Sequence, residues 1–94
     1  MYTTIVPAKH LRITGHVQGV FFRANAQLKA QELGIGGWIR NEPDGTVAVV
    51  AEGPEQSVER FIEWCWQGPP AAHVDKVKTA DIAEEGLRSF KIEK

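Results

Sequence analysis

The hydrophobic period of this chain changes abruptly across one short segment bracketed by glycines. Before it, KHLRIT (9–14) alternates polar and apolar residues, with Leu11 and Ile13 on one face, which predicts a half-buried strand. After it, Phe22, Ala26, Ala30 and Leu33 fall at i, i+4, i+8 and i+11, a single helical stripe. Between the two lies Gly15-His16-Val17-Gln18-Gly19, too short for anything but a tight loop. The chain therefore contains a strand that passes directly into an amphipathic helix.

The rest of the chain extends the same alternation of periods. Gly34 suits the end of the first helix, because glycine adopts the left-handed conformation without steric cost. GGWIRN (36–41) and TVAVVAE (46–52) read as two strands, joined through the turn EPDG (42–45) into a hairpin. Gly53-Pro54 opens a second helix, with Val58, Phe61, Ile62 and Cys65 as its apolar stripe and Glu55, Glu59 and Glu63 on the other face. Gly68-Pro69-Pro70 ends it. His73–Ile82 holds a strand of less regular pattern, and LRSFKIE (87–93) a final strand expected to turn Phe90 and Ile92 inward. Residues 1–7 read as a leader ending at Pro7. The order is β-α-β-β-α-β with the last strand in two pieces. That order predicts an α+β, ferredoxin-like split β-α-β sandwich: an antiparallel sheet with two helices on one face. The expected organisation is one domain over residues 1–94, with its core in about 8–93. Many unrelated functions share this order, so chemistry must be sought in particular residues.

Composition narrows the classes. Hydrophobic residues make up 43% and charged residues 24%, which excludes an intrinsically disordered chain. No apolar run approaches the ~20 residues of a membrane span. The 11 Lys and Arg against 12 Asp and Glu leave a net charge of −1, without the basic excess of a nucleic-acid binder. RNA-recognition domains of similar topology carry aromatics on the open sheet face, and TVAVVAE has none. The single cysteine, Cys65, allows no internal disulfide and no CxxC pair, which also argues against a metallochaperone. Its place on the apolar stripe predicts a buried, inert thiol. Trp64 and Trp66, which flank it, are expected at the edge of the core. His10, His16 and His73 are scattered, and no set of residues has metal-ligand spacing. The absence of a signal-peptide pattern and of paired cysteines fits a cytoplasmic protein.

The stretch Gly15-His16-Val17-Gln18-Gly19-Val20-Phe21-Phe22-Arg23 carries the chemistry. Amides of a glycine-bracketed loop can converge on an anion, and the helix N-terminus adds a favourable field. Gly15 and Gly19 permit tight turning and close approach of backbone to ligand. Arg23, at the helix start, can grip two phosphate oxygens at once. The parts suit a phosphate-sized cradle. They equally suit a plain strand–helix connection with a surface arginine, and spacing alone leaves both open.

The stretch GHVQGVFFR resembles the signature of the acylphosphatase family, and Gly37-Trp38-Ile39-Arg40-Asn41 with Gly45, Val47 and Gly53 is similar to that family's second motif. Gly68-Pro69-Pro70-Ala71 and Phe90 also fit, so the likeness covers residues 8–93. The resemblance implies a hydrolase that splits acyl phosphates into a carboxylate and inorganic phosphate, without metal or cofactor. It maps the substrate-binding arginine onto Arg23, the water-positioning asparagine onto Asn41, and the phosphate cradle onto the loop of Gly15, His16, Val17, Gln18, Gly19 and Val20. The implied partner is a small-molecule acyl phosphate. Neither nucleic acid nor a membrane is expected, and a monomer is the expectation at this size.

Such a reaction needs orientation and charge stabilisation more than a strong base, since the carboxylate is a good leaving group. The water's proton is expected to pass to the substrate phosphate itself. Two positions depart from the family pattern. Ile39 is larger than usual there. Glu42 follows Asn41 directly and is expected to face solvent, since adjacent strand residues point to opposite faces. The alternative function is a non-catalytic module that binds or senses a phosphate ligand in the same cradle.

Overall fold

The computed structural model describes residues 6–93, so most of the leader read over residues 1–7 lies outside the described residues. The elements are β1 (Ala8–His16), α1 (Phe22–Leu33), β2 (Gly36–Asn41), β3 (Val47–Glu52), α2 (Glu55–Gln67), β4 (His73–Asp81) and β5 (Phe90–Ile92). They form one five-stranded sheet in the order β4-β1-β3-β2-β5. The four antiparallel strands of the ferredoxin-like sandwich are all present, and β5 adds a parallel edge strand beside β2. The two pieces of the last strand thus occupy opposite edges of the sheet.

The core lies between sheet and helices. Leu11 and Ile13 of β1, Ile39 of β2 and Val47, Val49 and Ala51 of β3 are all buried on one face. Phe22, Ala26 and Ala30 of α1 and Val58, Phe61 and Cys65 of α2 meet them, while Leu33 and Ile62 are only half-buried at the margin. Ile39 is fully buried, so the larger residue is absorbed by the core. Trp64 joins the helices: its ring lies 5.4 Å from that of Phe22, edge on, and stacks on Phe61 at 6.3 Å. Trp66 is about half exposed, contrary to the core-edge expectation. Two residues along a helix is about 200° of rotation, which carries it away from the face Trp64 occupies. α1 ends at Gly34, whose amide donates to the carbonyls of Ala30 and Gln31.

β5 departs most from the pattern. Only three of the seven residues 87–93 form the strand, and Ile92 is exposed while Phe90 is buried. The helical layer reaches Phe90, whose ring lies 5.6 Å from Phe61 and whose carbonyl accepts from Gln27 Nε2 at 3.0 Å. Ile92 lies at the edge beyond that cover. The connector before β5 is held by Glu52, a charged residue only 4% exposed. Its two carboxylate oxygens accept the amides of Glu85 at 2.7 Å and Leu87 at 2.8 Å.

Candidate active site

β1 and β2 both run antiparallel to β3, so they run in the same direction and end at the same edge of the sandwich. One cross-strand row contains Ile13, Val47 and Asn41. Ile13 and Val47 are buried against the helices, so Asn41 lies on the helix side of the sheet. β1 runs three residues past that row, to His16, and there gives way to the loop that starts α1. Topology therefore brings the cradle loop, the first turn of α1 with Arg23, and Asn41 to one end and one face.

Gly15 and His16 belong to β1, paired with Val74 and His73 of β4, and the loop proper covers residues 17–21. The pairing slips by one residue after Thr14, a bulge that redirects the strand end. Gly15 has φ 128°, and a Cβ there would stand 2.1 Å from the carbonyl oxygen of His73. No larger residue fits without moving β4. Gly19, at φ 75°, turns the loop itself.

The amides of Val17 to Phe21 donate to no acceptor among the described residues. Five consecutive unpaired N–H groups beside a helix N-terminus form an anion site by their dipoles alone. Arg23 stands in the first turn of that helix. Arg12 and Arg40 each hold a carboxylate, Asp44 and Glu42, whereas Arg23 makes no ion pair or side-chain hydrogen bond among the described residues. The Oδ1 of Asn41 is buried and has no hydrogen-bond partner among the described residues. A buried polar atom left in that state is uncommon and calls for an explanation in function.

The side chain of Gln18 does not face the cradle. Its Nε2 donates to the carbonyls of Glu42 and Thr46, each at 2.9 Å, and so ties the loop to the hairpin that carries Asn41. That hairpin is braced further. Glu42 N donates to Thr46 O at 2.8 Å, and Asp44 Oδ1 accepts the amide of Thr46 at 3.0 Å and its hydroxyl at 2.6 Å. Arg12 Nη1 reaches Asp44 Oδ2 at 3.2 Å and Thr46 Oγ1 at 3.0 Å. The hydroxyl of Thr46, then its amide, hold the Asp44 carboxyl below the usual carboxylate range, with Arg12 adding to the shift.

Glu42 corrects the expectation of a solvent-facing carboxylate. It does lie on the face opposite Asn41, but its side chain is only 18% exposed and accepts from Arg40 Nε at 2.7 Å. That guanidinium packs over Trp38, 4.6 Å from the ring centroid. The carboxylate is thus neutralised away from the cradle. Cys65 is fully buried and its thiol is pushed up by burial, consistent with an inert packing role. Among the described residues no helix is long and apolar enough to cross a membrane.

A family model described as acylphosphatase matches residues 9–92. A protein of Nocardioides sp. named acylphosphatase is 51% identical over 83 residues, covering 88% of this chain and 84% of that protein. Among solved structures, an acylphosphatase from Coxiella burnetii superposes with a TM-score of 0.90 at 38% identity, covering 95% of this chain and 94% of the other. The acylphosphatase from Bacillus subtilis gives 0.91 at 32% identity, covering 94% and 99%.

Proposed function

The chain belongs to the acylphosphatase family, and for its hydrolysis of acyl phosphates to a carboxylate and inorganic phosphate we propose one division of labour. The amides of the loop from His16 to Val20, with Arg23, bind the phosphoryl oxygens, and Asn41 positions the attacking water. The observation that carries this reading is the placement at one sheet end of loop amides, an arginine and a buried Asn41 Oδ1 that have no hydrogen-bond or carboxylate partner among the described residues.

In this mechanism the phosphate sits on the loop amides with Arg23 against its oxygens. Asn41 Oδ1 accepts a hydrogen bond from the water and aligns it opposite the leaving carboxylate. The water oxygen bonds to phosphorus, and the bond from phosphorus to the carboxylate oxygen breaks. The carboxylate departs with the electron pair. The water's proton passes to a phosphoryl oxygen of the substrate. Donors already held in place cost no reorganisation as charge shifts, and removal of one costs about 3–4 kcal/mol of transition-state stabilisation. In the same reading residues 1–94 act as one domain, a monomer of the cytoplasm that needs no metal, cofactor, nucleic acid or membrane. The parity of charge and the lone cysteine support it.

The test is turnover of benzoyl phosphate in EDTA by the parent chain, Arg23→Ala and Asn41→Ala. A parent that turns over and two folded variants slowed by about 10²–10³ in kcat support the roles assigned. Folded variants with parental rates refute them. A folded parent with no turnover would leave a phosphate-binding module.

A further inference from the structure

Phe21 is the one non-glycine residue with a left-handed backbone among the described residues, at φ 63° and ψ 24°. For a bulky side chain this conformation is strained and persists only where its surroundings impose it. Here they do. Val20 and Phe22 on either side are 6% and 2% exposed. The Phe21 carbonyl accepts from Asn25 N at 3.1 Å and from Asn25 Nδ2 at 2.9 Å. The result of this constraint is a residue 77% exposed, the most exposed large hydrophobic of the described residues. Neither the strain nor the exposure serves the core. Strain concentrated at a ligand-binding loop is the pattern expected when a side chain is held for function.

A phosphate seated on the loop amides must project its acyl group outward past the loop's side chains. Val17 and Val20 are buried, and Gln18 is committed to the hairpin. Gly19 has no side chain. Phe21 is then the apolar side chain of residues 17–21 that is free to meet the acyl group. We propose that Phe21 determines acyl-group specificity: its ring packs against the acyl moiety and favours aromatic over small aliphatic acyl phosphates. The inference rests on the reading of Arg23 and the loop as the phosphate site. An aromatic acyl group offers the ring a stacking or edge contact that an acetyl group lacks.

The test compares kcat/KM for benzoyl phosphate and acetyl phosphate in the parent, Phe21→Ala, Phe21→Gly and Phe21→Tyr, with inhibition by inorganic phosphate measured in each. The ratio of benzoyl to acetyl phosphate is expected to fall roughly 3–10-fold in Phe21→Ala and Phe21→Gly and to be retained in Phe21→Tyr. Phosphate inhibition is expected to stay parental, because the amides and Arg23 remain. Phe21→Gly removes the backbone strain together with the ring, so its agreement with Phe21→Ala assigns the effect to the ring. Equal losses on both substrates, or none on either, overturn the proposal. If the parental ratio persists in Phe21→Ala while Arg23→Ala loses both activities, the phosphate site stands and only the role of Phe21 falls. A folded parent that hydrolyses neither substrate overturns both.

Discussion

Gln18 cross-links the two halves of the candidate site, and its removal should be visible in stability and in rate together. Its Nε2 makes two hydrogen bonds of 2.9 Å, to the carbonyls of Glu42 and Thr46. Both carbonyls have a second donor, Gly45 N at 3.1 Å and Glu42 N at 2.8 Å. Truncation therefore orphans neither acceptor, and the loss is the net value of two neutral hydrogen bonds. At about 1 kcal/mol each, Gln18→Ala costs about 2 kcal/mol. For a domain of this length that lowers Tm by about 8–16 °C. Gln18→Glu is the sharper perturbation. It keeps the shape, loses both donors, and sets a half-buried carboxylate against two carbonyl oxygens, so it should cost more than Gln18→Ala, about 3 kcal/mol. Urea unfolding followed by tryptophan fluorescence, with m unchanged, measures both. Loosening the loop against the hairpin misplaces the water relative to the phosphate, and kcat/KM for benzoyl phosphate should fall about 10–100-fold in each variant. If Gln18→Glu were as stable as the parent, or Gln18→Ala lost less than about 0.5 kcal/mol with parental activity, the cross-link would carry nothing and the reasoning would be refuted.

Two further predictions concern the frame around the site. Glu52→Ala removes two charge-assisted hydrogen bonds to the connector before β5 and should cost about 3 kcal/mol in urea unfolding, with faster hydrogen exchange at the amides of Glu85 and Leu87. Glu52→Gln, which keeps one acceptor, should cost less. The folded value of Asp44 lies below its unfolded one, so its ionised form stabilises the hairpin at every pH above the unfolded value near 3.8. That contribution disappears as pH falls through the lower folded value. The parent should accordingly exceed Asp44→Asn in stability at neutral pH and converge with it in acid; a stability difference independent of pH would contradict this.

What the sequence determined by itself is whatever depends on local period and local backbone chemistry. The alternation of Leu11 and Ile13, the stripe of Phe22, Ala26 and Ala30, the turn at Pro43-Asp44-Gly45 and the glycine at position 34 are each decided within a few residues. They sufficed for the order of elements, the sandwich, and the strand–loop–helix that holds Arg23. The short motifs around Arg23 and Asn41 were legible for the same reason, and the family follows from them.

The folded arrangement settled what local period leaves open: which side-chain contacts form, near or far along the chain, and which positions the helices cover. Glu42 turned from solvent to Arg40 because that guanidinium, spread over Trp38, offered a neutralising contact. Ile92 was left outside because its strand lies at a sheet edge that the helices do not fully cover. Gln18 showed no sign of its bracing role, since its acceptors are backbone carbonyls 24 and 28 residues away and any residue type supplies those. The left-handed backbone of Phe21 was equally hidden, because nothing in a phenylalanine favours it. Buried neighbours on both sides and the two bonds from Asn25 impose that conformation, and such constraint exists only once the chain has closed around its core.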